Sequence, residues 1–124
     1  MTPNEFRRLA LSFPQTEERS HMNHPDFRAA GKLFATLGYP DKSSAMVKLT
    51  PVEQEMFLNN EPEVFTPCAG AWGRAGCTNV QLQLAKKTSI HKALEAAWEL
   101  AIGKSPAKKP PKRPVKKKTS SKNK

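Results

Sequence analysis

Apolar residues recur along the chain at two spacings, and each change of spacing marks a new element. Phe6, Leu9, Ala10 and Phe13 follow the helical spacing. Thr2-Pro3-Asn4-Glu5 precedes them as a capping box with proline at the first helical position, and Pro14 stops the run. Thr50-Pro51-Val52-Glu53 repeats that cap and opens a second helix. Its stripe is Val52, Met56 and Phe57, and it ends near Asn59-Asn60. Ile90, Leu94, Ala97, Trp98 and Ala101 mark the buried face of a third helix, and Lys92, Glu95 and Glu99 its wet face. Thr88 or Ser89 caps this helix and Gly103 ends it.

Between the helices the spacing drops to two. Thr16–His21 reads as an exposed strand with alternating charge, and Glu17-Glu18 suits an edge that must not pair with another chain. Phe27–Ala30 and Lys32–Leu37 flank Gly31 and read as a hairpin. In that strand Leu33, Ala35 and Leu37 are expected on one side, Phe34 and Thr36 on the other. Gly38-Tyr39-Pro40-Asp41 breaks the run, and Ser44–Leu49 is a further strand centred on Met46 and Val47.

The segment Thr66–Leu84 organises the rest. Pro67, Gly70, Gly73 and Gly76 are too frequent for a regular element, so its first half reads as a loop. Asn79–Leu84 then alternates, with Val80, Leu82 and Leu84 on the apolar side. The order is helix, strands, helix, strand, helix. That predicts an α+β domain, an antiparallel sheet with helices packed on one face, over residues 1–103.

Charge changes the picture. The chain has 21 Lys and Arg against 11 Asp and Glu. Nine Lys and one Arg fall in residues 104–124, which hold no acid, so the domain is formally neutral and the tail carries the excess. Ala107 and Val115 are the tail's only apolar side chains besides its four prolines. Such a segment cannot bury enough surface to offset the entropy of ordering, and it is expected to be disordered in the free protein. Its composition resembles the lysine–proline–alanine tails of histone-like proteins.

The candidate nucleic-acid contacts follow. In the tail they are Lys104, Lys108, Lys109, Lys112, Arg113, Lys116, Lys117, Lys118 and Lys122. Clustered cations neutralise phosphates and release counterions, which gives affinity without base reading. The other reading of the tail is a solvated solubility or localisation element. In the domain, Trp72 and Arg74 sit in the glycine-rich loop, where a tryptophan can stack on a base and an arginine can hold a phosphate. The more usual fate of such a tryptophan is to fold back over the sheet edge. Lys32 and Lys48 are candidates for backbone contacts from the sheet rim.

Gly31-Lys32-Leu33-Phe34-Ala35, Val47-Lys48-Leu49-Thr50-Pro51, Pro67 before a Gly/Trp loop, the Val80–Leu84 strand and a terminal helix occur in that order. This series resembles the MmcQ/YjbR family of small bacterial proteins over roughly residues 3–102. The resemblance implies a "double wing" α+β fold, proposed to bind DNA. It carries over no catalytic set.

His21, His24, Cys68 and Cys77 are possible soft ligands, but their spacing fits no zinc framework, so no metal or cofactor is expected. The two cysteines read as reduced thiols, and His91 as a surface residue. No nucleophile elbow, phosphate loop or carboxylate pair is present, so an enzyme is not expected. The partner expected is nucleic acid, DNA before RNA. A protein partner held by a sheet face or groove is the alternative. A membrane is not expected, because no amphipathic or lipidated segment supports it. The chain shows no secretory pattern at its start and reads as cytoplasmic, associated with the nucleoid if it binds DNA.

Overall fold

Two matching capping boxes set the first two helices. In a computed structural model that describes residues 1–21, 24–38 and 41–103, α1 spans Pro3–Leu11 and α2 spans Pro51–Asn60. The Glu5 N–H donates to Thr2 Oγ1 at 3.2 Å and the Thr2 N–H to Glu5 Oε1 at 2.8 Å. Thr50 and Glu53 repeat the exchange at 3.1 Å in both directions. Each box satisfies two backbone donors that a helix start would otherwise leave open.

Six strands form one antiparallel sheet: β1 (Thr16–His21), β2 (His24–Ala29), β3 (Lys32–Leu37), β4 (Ser44–Lys48), β5 (Phe65–Pro67) and β6 (Cys77–Gln81). Their order is β1-β2-β3-β4-β6-β5, so β1 and β5 are the edges. The charged strand Thr16–His21 is thus an edge, as its sequence suggests. The β2–β3 hairpin turns on two residues, Ala30 at φ 51° and Gly31 at φ 81°. Two positive φ values in a two-residue loop match the right-handed twist of the strands they join.

The β3 side chains depart from simple alternation. The register shifts between Phe27, opposite Ala35, and Arg28, opposite Leu33, which leaves Phe34 as an extra residue. Phe34 and Ala35 are both fully buried. A bulge brings two successive side chains to the same side, so Phe34 joins the core instead of facing away from Ala35.

Leu37, Ala45, Val80 and Phe65 form one buried row across the sheet. Phe6 and Ala10 of α1 and Ile90, Ala93, Leu94 and Ala97 of α4 (Lys87–Ala101) complete this core. The alternate row, Thr36, Met46, Asn79 and Thr66, contains no buried residue. The helices therefore cover one face and leave the other wet, which is an α+β arrangement. No helix among the described residues is long and apolar enough to cross a membrane.

Four other local expectations need correction. Within the glycine-rich segment, Gly70–Arg74 forms a short helix, α3. β6 starts at Cys77 and ends at Gln81; Leu82–Leu84 is a 3-10 turn that buries Leu82 and leaves Leu84 exposed. α4 begins before Thr88 and Ser89, because the Ile90 N–H already donates to the Lys86 carbonyl. No side chain caps it, and Trp98 is half-buried, with Nε1–H donating to the Pro14 carbonyl at 2.9 Å. On α2, Val52 and Met56 are 64% and 58% exposed, while Gln54 points inward. The reason lies in contacts made by Gln54, described below.

Gly76 is the tightest point of the fold. At φ 114°, an added Cβ would lie 1.8 Å from the Leu49 carbonyl oxygen. We predict that Gly76→Ala costs more than about 3 kcal/mol or prevents folding, since strain of this kind adds to a backbone clash. Ala30→Gly should gain about 0.5–1 kcal/mol, because it relieves a left-handed alanine at the entropic cost of a glycine. Urea midpoints of the two variants against the parent check both signs.

Candidate nucleic-acid interface

The backbone around α3 is fixed before its side chains are considered. Gly73 packs so closely that a Cβ there would meet the Cys68 carbonyl oxygen at 1.9 Å. The Leu49 N–H donates to the Gly76 carbonyl at 3.1 Å, and the Thr78 hydroxyl donates to the same carbonyl at 2.9 Å. From α2 the buried amide of Gln54 reaches under the turn. Its Nε2 donates to the Gly73 carbonyl at 2.9 Å and to the Cys77 carbonyl at 3.0 Å. Each carbonyl also accepts a backbone N–H, that of Gly76 at 3.1 Å and that of Cys68 at 3.0 Å, so the glutamine fills the second acceptor site of both and satisfies its own buried amide. That is why a polar residue takes the inward position of α2, while the flanking Val52 and Met56 face out.

On this frame Trp72 is 68% exposed and Arg74 is exposed. Trp72 does not fold back over the sheet edge, the fate that its size favoured. A five-residue helix anchored at Gly73 and Gly76 holds the indole away from the core.

Lys32 and Lys48 share a shallow cleft of about 310 Å³ with Leu33, Ala97, Leu100 and Ala101. Neither lysine, nor Arg74, forms a salt bridge among the described residues. The topology explains the meeting. β3 begins at Lys32, β4 ends at Lys48, and Lys48 pairs with Cys77 at the start of β6. Alternate strands of an antiparallel sheet begin where their neighbours finish. Lys32, Lys48 and the α3–β6 turn thus occupy one end of the sheet. The last turn of α4 lines the same cleft, so the chain leaves the domain toward residue 104 at that end.

The charge around this end is uneven. Residues 49–73 include Glu53, Glu55, Glu61 and Glu63 and no Lys or Arg. Trp72 borders that acidic stretch, and Arg74 is the first cation after it. The basic tail residues Lys104, Lys108, Lys109, Lys112, Arg113, Lys116, Lys117, Lys118 and Lys122 lie outside the described residues.

The remaining candidates do not assemble. Among the described residues no group of three or more His, Cys, Asp and Glu is placed to hold a metal ion. Cys68 and Cys77 are free thiols. His91 is exposed and lies against Phe13, ring centres 5.4 Å apart. The residue that sequence reasoning missed is Gln54. A polar side chain between Val52 and Met56 gave no sign that it faced inward.

A family model, YjbR, matches residues 11–100. A search of curated proteins finds no match. Among solved structures, a Deinococcus radiodurans protein described as a DUF419 domain superposes with a TM-score of 0.70 at 15% identity, covering 98% of this chain and 96% of that one. A Pseudomonas syringae protein superposes with a TM-score of 0.61 at 17% identity, covering 82% of this chain and 99% of that one. At these identities the likeness concerns the fold alone.

Gln54→Ala tests the frame. It removes two buried hydrogen bonds, leaving the Gly73 carbonyl only the Gly76 N–H and the Cys77 carbonyl only the Cys68 N–H, and should cost about 2 kcal/mol in urea unfolding. The amides of α3 should exchange with solvent faster than those of α4, whose core is untouched. Unchanged exchange in α3 would show that the glutamine does not hold it.

Proposed function

The chain belongs to the YjbR family, and from this premise we propose that it is a small nucleic-acid-associated protein that binds DNA with little sequence specificity. One observation carries the reading. Lys32, Lys48, Trp72 and Arg74 stand at the end of the sheet from which the basic tail departs. A phosphate backbone held by the tail would meet these side chains first. The tail supplies affinity by neutralising phosphates, and the domain supplies a stacking surface and a few further cations. Lysine prevails over arginine in the tail, which suits phosphates better than bidentate recognition of guanine. No catalytic role is assigned to any residue.

A protein partner is the second reading. The exposed pair Val52 and Met56, one turn apart on α2, favours it. In that case the tail serves solubility or localisation.

A salt series on the full chain and on residues 1–103 separates the two. The DNA reading predicts that the full chain loses about 10³-fold in affinity between 50 and 200 mM salt, as expected for about six phosphate contacts. It also predicts that truncation removes most of the affinity at low salt. Negligible retention by both forms favours the protein partner. Full affinity in residues 1–103 would place binding in the domain and contradict the role given to the tail.

A further inference from the structure

Cys68 is the residue after β5, and Cys77 opens β6. The register pairs Thr66 with Asn79 and Pro67 with Thr78, and its continuation sets Cys68 opposite Cys77. The Cys68 N–H donates to the Cys77 carbonyl at 3.0 Å, which marks a hydrogen-bonded antiparallel pair. Directly opposed residues send their side chains to the same face of the sheet. Their Cα atoms stand about 5.5 Å apart in such a pair, inside the roughly 4.4–6.8 Å that a disulfide bridges. Pro67 reinforces the register, because between two hydrogen-bonded positions its missing N–H faces away from β6. The segment between the cysteines is the turn that carries α3, Trp72 and Arg74.

We propose that Cys68 and Cys77 form a reversible disulfide, a redox-made clasp at the base of α3. Low-molecular-weight disulfides such as oxidised glutathione are the oxidant. Cys68 is the more accessible thiol and reacts first. It loses its proton, leaves its 3.4 Å contact with Asn79 Oδ1, and its thiolate attacks one glutathione sulfur. One glutathione departs as a thiol, and a mixed disulfide remains on Cys68. Cys77, deprotonated in turn, attacks the Cys68 sulfur and expels the second glutathione. The two cysteines give up two electrons and two protons, and one glutathione disulfide becomes two thiols.

Burial pushes both thiols up, Cys68 to about 11, with its neighbour Cys77 adding to the effect. The thiolate fraction is therefore small at neutral pH, and the clasp closes slowly there and faster as pH rises. The product fixes covalently what Gln54, Gly73 and Gly76 hold by packing and hydrogen bonds. The clasp does not depend on the nucleic-acid reading, and its test contains no nucleic acid.

The full chain, reduced and freed of reductant, is equilibrated with a graded series of oxidised to reduced glutathione. Acid-quenched samples are then weighed and mapped. The native chain should become about 2 Da lighter, with Cys68 linked to Cys77 and no glutathione retained. Its midpoint should lie at least tenfold toward the reducing end of the series relative to the same chain unfolded in urea. Cys68→Ser should abolish the mass loss. Equal or reversed midpoints would overturn the proposal, as would a glutathione adduct that persists on native Cys68.

Discussion

The close approach of Gly76 to Leu49 is the constraint on which the rest of this fold depends. Only a residue without Cβ can take that φ with a carbonyl oxygen 1.8 Å from where the Cβ would be. The contact brings the end of β4 against the start of β6, where the Leu49 N–H finds the Gly76 carbonyl. It also fixes where α2 must start, since Thr50 caps that helix one residue later. Gln54 then lies within reach of Gly73 and Cys77 and ties helix to turn. The stability of one end of the sheet and the placing of Trp72 and Arg74 thus have a single origin.

Electrostatics divides the molecule differently from its packing. The folded part balances its charges, and the excess belongs to residues 104–124. Balance in the total does not mean evenness over the surface. Glu53, Glu55, Glu61 and Glu63 concentrate acid along α2 and the segment after it. Lys32 and Lys48 share a cleft with the last turn of α4 and have no carboxylate partner among the described residues. A polyanion approaching the domain would be turned from α2 toward that cleft, and the covalent connection of the tail lies on the same side.

Much of this architecture is legible in the sequence because it rests on local chemistry. The repeated Thr-Pro-x-Glu boxes, the Ala30-Gly31 turn and the charged edge strand Thr16–His21 depend on neighbours within a few residues. The misreadings arise where distant contacts decide. Phe34 turns inward through a bulge set by pairing with β2. Gln54 takes a core position because Gly73 and Cys77, far along the chain, present carbonyls to it. Leu84 leaves the strand because the backbone turns at Leu82, whose carbonyl accepts the Ala85 N–H and the distant Met1 amino group. Of the candidate interface, residue types were legible and positions were not. Nothing local in Gly70–Arg74 shows a helix that exposes Trp72, and no pattern shows that Lys32, Lys48 and the last turn of α4 meet.

The most direct measurement is a chemical-shift map of the full chain titrated with a short DNA duplex at low salt. The account predicts that backbone shifts in the folded part concentrate around Lys32, Lys48, Trp72, Arg74 and Gly103. Thr36, Met46 and Ser44, at the opposite end of β4 from Lys48, should stay still. Shifts centred on the open sheet face or on that opposite end, or none in the domain while the duplex is bound, would contradict it.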